Sequence, residues 1–214
     1  MKAITLTRYG SPEDLQLQEV AQPVPEADEV LIRVKGTSVN DWDWSLAIGK
    51  PFYIRLFCGL FKPNVQIPGV DVAGEVVGIG EKVTQFQLGD RVYGDLSEQG
   101  FGGYAEYVCA PQSALTLMPA KMSYEEAAAI PHAALLALQG LRDLGKLKPG
   151  QKVLINGAGG GVGTLGVQIA KALGTEHVTG VDSAAKSDEM LSAGFDCTID
   201  YQQEDFSSSE ERYE

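Results

Sequence analysis

The segment Val153–Gly174, VLINGAGGGVGTLGVQIAKALG, sets five glycines in the seven residues 157–163. That density suits one kind of chemistry. Glycines allow a tight turn and a close backbone approach, and the free N–H groups at a helix start, backed by the helix dipole, attract an anion. The surroundings fit. An apolar run, Lys152–Asn156, precedes the turn, and Val162, Leu165, Ile169 and Leu173 follow at helical spacing as one apolar face. Gly157, Gly160 and Gly163, with Gly161 and Val162 among them, read as a strand–turn–helix that cradles a pyrophosphate. A turn that merely packs a helix on a strand rarely needs so many glycines. Asp182 ends the next strand 19 residues after Gly163, where a ribose-binding carboxylate is expected. Taken alone, Asp182 argues for NAD, because a carboxylate repels a 2′-phosphate. Ser183, Lys186 and Tyr201 argue for NADP: a hydroxyl, a cation and a phenol at the ends of neighbouring strands. On spacing the nucleotide stays NAD(P).

These residues need a parallel sheet behind them. From residue 152 the chain alternates strand and helix: 152–156, 162–173, 177–182, 184–193 and 197–201. A βαβαβ order implies a parallel sheet with right-handed crossovers. Before residue 123 the pattern is different. Short runs such as EVLIRVKG (29–36), VAGEVVGIG (72–80), DRVYGDL (90–96) and GYAEYVCAP (103–111) read as strands between turns, which suggests a small β-barrel or sandwich. One helix is expected over Asp41–Gly49, with Asn40 as its cap. Ser123 and Glu126 form a capping box for another, which Pro131 interrupts.

Composition narrows the partners. The 214 residues carry a net charge of −12, so nucleic acid is not an expected partner. No apolar run reaches membrane-spanning length and MKAITL begins directly as a strand, so a cytoplasmic protein with no membrane partner is expected. The three cysteines are scattered and the two histidines lie far apart in sequence, so no metal site is expected.

Over nearly its whole length the chain resembles the medium-chain dehydrogenase/reductase superfamily. It looks most like the zinc-free quinone oxidoreductase (zeta-crystallin-like) and enone-reductase branch. The stretches that carry the likeness are VLIRVKGTSVNDWD, IPGVDVAGEVVGIGEKV, LGDRVYG, GGYAEYV, LKPGQKVLINGAGGGVG, QIAKALG and GFDCTIDY. The resemblance implies an α/β chain: a GroES-like β-barrel domain (1–122), then an incomplete Rossmann domain (123–206) and an acidic tail (207–214). Where zinc-dependent relatives carry a cysteine and a His-Glu pair, this chain has Asn40 and Val70-Asp71, and the four-cysteine lobe is absent. The resemblance therefore implies zinc-free hydride transfer to a quinone or an α,β-unsaturated carbonyl. Asn40 would contact cofactor or substrate, and Asp43 would orient polar groups nearby. Lys186 and Tyr201 match residues that some members use on the 2′-phosphate, which favours NADPH over NADH.

Two departures stand out. Leu136 replaces a threonine found in many relatives near the nicotinamide. The stretch 49–66 is longer and more apolar than usual, and its Phe52, Tyr53, Phe57, Leu60 and Phe61 suit a substrate pocket, a partner surface or a small core of the loop itself. One βαβαβ half of a dinucleotide-binding sheet is present, with its first strand expected at an edge. On that reading the chain is a C-terminally truncated enzyme with impaired activity, or a non-catalytic cofactor-binding or interaction module. A homo-oligomer or a second chain would complete the sheet.

Overall fold

The computed structural model describes residues 1–208 and 213, in two compact units, Met1–His132 and Ala133–Glu214. In the first unit, β1 (Lys2–Thr5) and β2 (Gln16–Glu19) form an antiparallel hairpin. Five strands make the main antiparallel sheet: β3 (Glu29–Gly36), β4 (Asp71–Ile79), β5 (Arg91–Asp95), β6 (Tyr107–Pro111) and β7 (Leu115–Leu117). Their order is β6-β3-β4-β5-β7. Val30, Ile32, Val72, Val76, Val92, Leu96 and Val108 meet in one core. Alternation along β3 predicts one covered face, yet Leu31 is buried as well as Val30 and Ile32. The register of β3 against β4 shifts between Leu31 and Ile32 and again between Val34 and Gly36, which bends the pair.

Two short helices follow β3. α1 (Asp41–Ile48) begins at Asn40, whose N–H donates to Asp43 Oδ2, and ends at Gly49 with φ 62°. That left-handed stop suits glycine. α2 is Tyr53–Cys58. Leu46, Ala47, Ile54, Cys58, Val70 and Phe101 gather into a second core beneath these helices. α3 (Tyr124–Ala128) starts with the expected box: Ser123 N–H donates to Glu126, and Glu126 N–H to Ser123 Oγ. Ala127 and Ala128 pack on Ala73 and Met118, so the first unit runs past the expected boundary at 122 to His132. α4 (Pro131–Leu138) opens on proline, and the boundary between the units falls inside it.

In the second unit, β8 (Lys152–Asn156), β9 (His177–Asp182) and β10 (Cys197–Asp200) are parallel, in the order β10-β9-β8. This is the expected half of a doubly wound sheet, with β8 at an edge. α5 (Gly161–Ala172) joins β8 to β9, and a 3-10 turn, Ala184–Lys186, leads into α6 (Ser187–Ala193) before β10. The face of α5 differs from the expected one. Gly163, Gly166, Val167 and Ala170 are buried, whereas Val162 is 41% exposed. Small residues bring the helix close to the strands, and the larger apolar residues flank the contact. Of the expected tail, Phe206–Ser208 form a 3-10 turn and the Tyr213 hydroxyl donates to Thr179 Oγ1 at 3.2 Å. Positions 209–212 and 214 lie outside the described residues.

A methyl group on Gly163 would collide with the Ala158 backbone, whereas one on Gly140 would meet nothing within 4 Å. Gly163→Ala is expected to cost about 1–3 kcal/mol through overpacking, and Gly140→Ala less than about 0.5 kcal/mol. Urea unfolding followed by circular dichroism compares the two.

Candidate functional site

Polar groups with chemical potential collect at two places, one in each unit. In the first, strand pairing sets Asp71 directly opposite Asp95. Two carboxylates at such positions repel, so donors must surround them. Asp71, 1% exposed, receives three. Ser38 Oγ donates to it at 2.6 Å, Asn40 Nδ2 at 2.9 Å and the His132 N–H at 2.9 Å. Asp95 accepts the Ser97 N–H at 2.7 Å and faces His132 Nδ1 at 2.9 Å. Asp43, 4% exposed, accepts the N–H groups of Asn40 at 3.0 Å and Gly69 at 2.8 Å. The Tyr104 hydroxyl donates to the Ser38 carbonyl at 3.1 Å. The chain end after β3, the start of α1, the first residue of β4 and the start of α4 thus share one buried network.

Burial sets the direction of titration for Asp71, Asp43 and Tyr104, and hydrogen bonding sets it for Asp95 and His132. Burial pushes Asp71 and Asp43 above the usual carboxylate range, against the hydrogen bonds that oppose it. Burial also pushes the Tyr104 hydroxyl up, with Asp43 adding to the effect. For Asp95, burial acts upward, but the His132 ring and Ser97 together hold it below its ordinary value. Asp95 in turn raises His132, against burial. An Nδ1–H aimed at a carboxylate leaves Nε2 as the ring atom that gains or loses a proton.

The two expected catalytic residues, Asn40 and Asp43, both lie in this network. Asn40 spends its Nδ2 group on Ser38 Oγ at 2.8 Å and on Asp71. A substrate carbonyl would have to displace one of these bonds. Asp43 holds the backbone at Asn40 and Gly69. Sequence reasoning missed His132 and Asp95. One signal was present: His132 stands alone in the apolar run IPHAALLAL, and a buried histidine needs a partner.

The second place is the glycine turn. Gly157 has φ 79°, which glycine adopts without strain, and the N–H groups of Gly157 and Ala158 both donate to Val181 O, at 2.9 and 3.1 Å. Gly160 caps α5 without a side chain. The first N–H groups of the helix, at Gly161, Val162 and Gly163, therefore face outward with no acceptor within the helix. The Asp182 carboxylate accepts the N–H groups of Gly159 at 3.0 Å and Ser183 at 2.8 Å, and pairs with Lys186 Nζ at 3.1 Å. Burial pushes Asp182 up, but these three donors together hold it below its ordinary value. Gly159 has a specific reason to be glycine: a Cβ there would collide with the Lys186 side chain. Tyr201, 54% exposed, follows β10, and its N–H donates to Asp182 O at 3.3 Å. Apart from Asn40, which lies in the first unit, the residues expected at the nucleotide thus sit around one turn and the ends of β9 and β10. Leu136, on α4, is 46% exposed.

Comparison with known proteins fits this picture. Residues 26–120 match the alcohol dehydrogenase GroES-like domain. The chain is 36% identical to a 2-methylene-furan-3-one reductase of Solanum lycopersicum, an alignment covering 100% of this chain and 55% of that protein. It is 39% identical to a chloroplastic quinone-oxidoreductase homolog of Spinacia oleracea, over 94% of this chain and 61% of the relative. The quinone oxidoreductase of Escherichia coli solved with NADPH superposes with a TM-score of 0.82 at 30% identity, over 96% of this chain and 60% of that one. Over 94–100% of its length the chain is similar to proteins of the medium-chain dehydrogenase/reductase superfamily. Within it, the proteins it matches include quinone oxidoreductases and enone reductases. It spans 55–61% of the length of these two curated relatives. Among the described residues, no helix is long and apolar enough to cross a membrane, and no three His, Cys, Asp or Glu are grouped to hold a metal ion.

The His132–Asp95 pair makes stability depend on pH. A histidine raised by its partner stabilises the fold fully below its unfolded value of 6.5 and loses that contribution as pH rises through its folded value. Asp95, held low, contributes above its ordinary 3.8 and loses its contribution only as pH falls through its folded value. His132→Leu is therefore expected to cost about 1–3 kcal/mol at about pH 5.5 and visibly less at about pH 9. Urea unfolding at the two pH values checks this. An equal loss at both would mean that the pair does not carry charge.

Proposed function

We propose that the chain carries the cofactor cradle and a catalytic-domain network of an NADPH-dependent, zinc-independent oxidoreductase that reduces quinones or α,β-unsaturated carbonyls by hydride transfer. The observation that carries the reading is the arrangement at the end of β9. The Asp182 carboxylate is met by two backbone N–H groups and by Lys186, whose side chain is still 43% exposed. Its charge is thus offset where a 2′-phosphate would otherwise be repelled, and Lys186, Ser183 and Tyr201 remain to hold that phosphate. The outward N–H groups of Gly161, Val162 and Gly163 suit the pyrophosphate, and Gly160 keeps their approach clear. When bound, the dihydronicotinamide supplies a hydride. The likeness to the reductase of Solanum lycopersicum and to the Escherichia coli enzyme solved with NADPH supports the same reading.

Independence from zinc follows in this reading from the donors. Asn40 and Val70 offer neither thiolate nor imidazole, and the Asp71 carboxylate is already met by three donors. A quinone or enone is electrophilic without a Lewis acid, because conjugation spreads the developing charge onto oxygen. Positioning and a hydrogen-bond donor then suffice. His132 is the group suited to hold a proton, at Nε2, with Asp95 fixing Nδ1. Asn40 and Asp43 act by holding the backbone and the buried carboxylate in place.

Fluorescence titration tests the nucleotide. NADPH is expected to bind roughly 10- to 100-fold more tightly than NADH, the worth of one or two charge-assisted bonds. Lys186→Ala should remove most of that difference. Tighter binding of NADH, unchanged in the variant, would contradict the reading. NADPH binding without oxidation by any quinone or enone would favour a cofactor-binding module instead.

A further inference from the structure

We propose that the segment Trp44–Lys62 is a docking surface for an anionic lipid bilayer. The segment is built on two faces. Inward, Ile54 and Cys58 of α2 join the core with Leu46 and Val70. The loop is tied down: the Tyr9 hydroxyl donates to Gly59 O at 2.6 Å, Asn64 N–H donates to Cys58 O at 2.6 Å, and the Arg55 guanidinium lies 4.7 Å from the centre of the Tyr9 ring. Outward, Tyr53, Leu56 and Phe57 lie on the opposite side of α2 from Ile54 and Cys58, Leu60 follows the helix, and all four are exposed. Phe57 is 77% and Phe61 89% exposed. These side chains therefore stand on an ordered platform and add little to the core beneath it. Of the roles open to this stretch on sequence, the inner face supplies the small core, and the proposal concerns the outer face.

Charge selects the partner. Between Asp43 and Asp71 the chain holds no acidic residue, in a protein of net charge −12; Arg55 there is turned to Gly49 O and the Tyr9 ring, and Lys50 and Lys62 are the exposed cations. A second copy docked by two-fold symmetry would set this basic patch against itself. An anionic headgroup layer complements it, with Phe, Tyr and Trp at the level where their rings prefer to sit. α2 has six residues, so the contact lies in the interface and does not cross the bilayer. The absence of a membrane-spanning run, which led to the expectation of no membrane partner, does not bear on such a contact.

Flotation of the 214-residue chain tests the surface, using phosphatidylcholine vesicles with and without about one third phosphatidylglycerol. Binding is expected to the mixed vesicles only, and should weaken as salt rises. Phe57→Ser with Phe61→Ser should lower the partition coefficient by about tenfold for each ring removed. Lys50→Glu with Lys62→Glu should lower binding to the anionic vesicles alone. Both pairs are exposed, so unchanged thermal unfolding keeps the comparison valid, and hydrogen exchange on wild-type protein with vesicles should show protection confined to 44–62. No binding to either vesicle, or binding that the phenylalanine pair leaves unchanged, would overturn the proposal. So would dimers without lipid that the same pair abolishes, since the surface would then belong to a second copy.

Discussion

A carboxylate taken out of water must be surrounded by donors, and Asp71 organises the first unit around that requirement. It is almost wholly buried, and it lies opposite a second carboxylate on the neighbouring strand. Its three donors come from three separate places: Ser38 after β3, Asn40 at the head of α1 and His132 at the head of α4. Removing one partner of such a group leaves a buried charge short of donors, which costs more than the bond itself contributes. The requirement thus fixes the loop between β3 and α1 and positions Asn40. It also holds the backbone of His132, which lets the ring reach Asp95.

The second unit rests on a different constraint, closeness. Gly163 lets α5 approach the Ala158 backbone, Gly180 leaves room for Ala158 and Phe195, and Gly159 leaves room for the Lys186 side chain. The turn therefore does two jobs with one residue type. It exposes N–H groups at the helix start, and it leaves room beside Asp182 for the lysine that follows it four residues later. The pairing of Lys186 with Asp182 offsets the charge of the acid at the end of β9.

Much of this was legible in the sequence, and what was missed has physical causes. The βαβαβ order, the edge position of β8 and the gathering of Asp182, Ser183, Lys186 and Tyr201 followed from local spacing, because a strand–turn–helix unit is set by residues close in sequence. The buried face of α5 was misread because the largest apolar residues were taken as the contact, where close packing selects the smallest. The His132 pairings were not legible, since its partners Asp71 and Asp95 lie 61 and 37 residues away and meet it only through the register of β4 and β5. Asn40 was found, but as a donor to ligand. That its amide turns inward to Asp71 depends on a strand 31 residues further on. The stretch 49–66 was seen to be unusual, but which of its apolar side chains face outward needed the structure.

The dependence of the first unit on one buried acceptor can be measured by a double-mutant cycle on unfolding free energy, with Asn40→Ala and Asp71→Asn made singly and together. If Asp71 is the shared acceptor, Asn40→Ala should cost far less once Asp71 is an amide, with a coupling of about 1–3 kcal/mol. Costs that add to within about 0.5 kcal/mol would mean that Asn40 and Asp71 are neighbours without being partners, and would contradict the network as described.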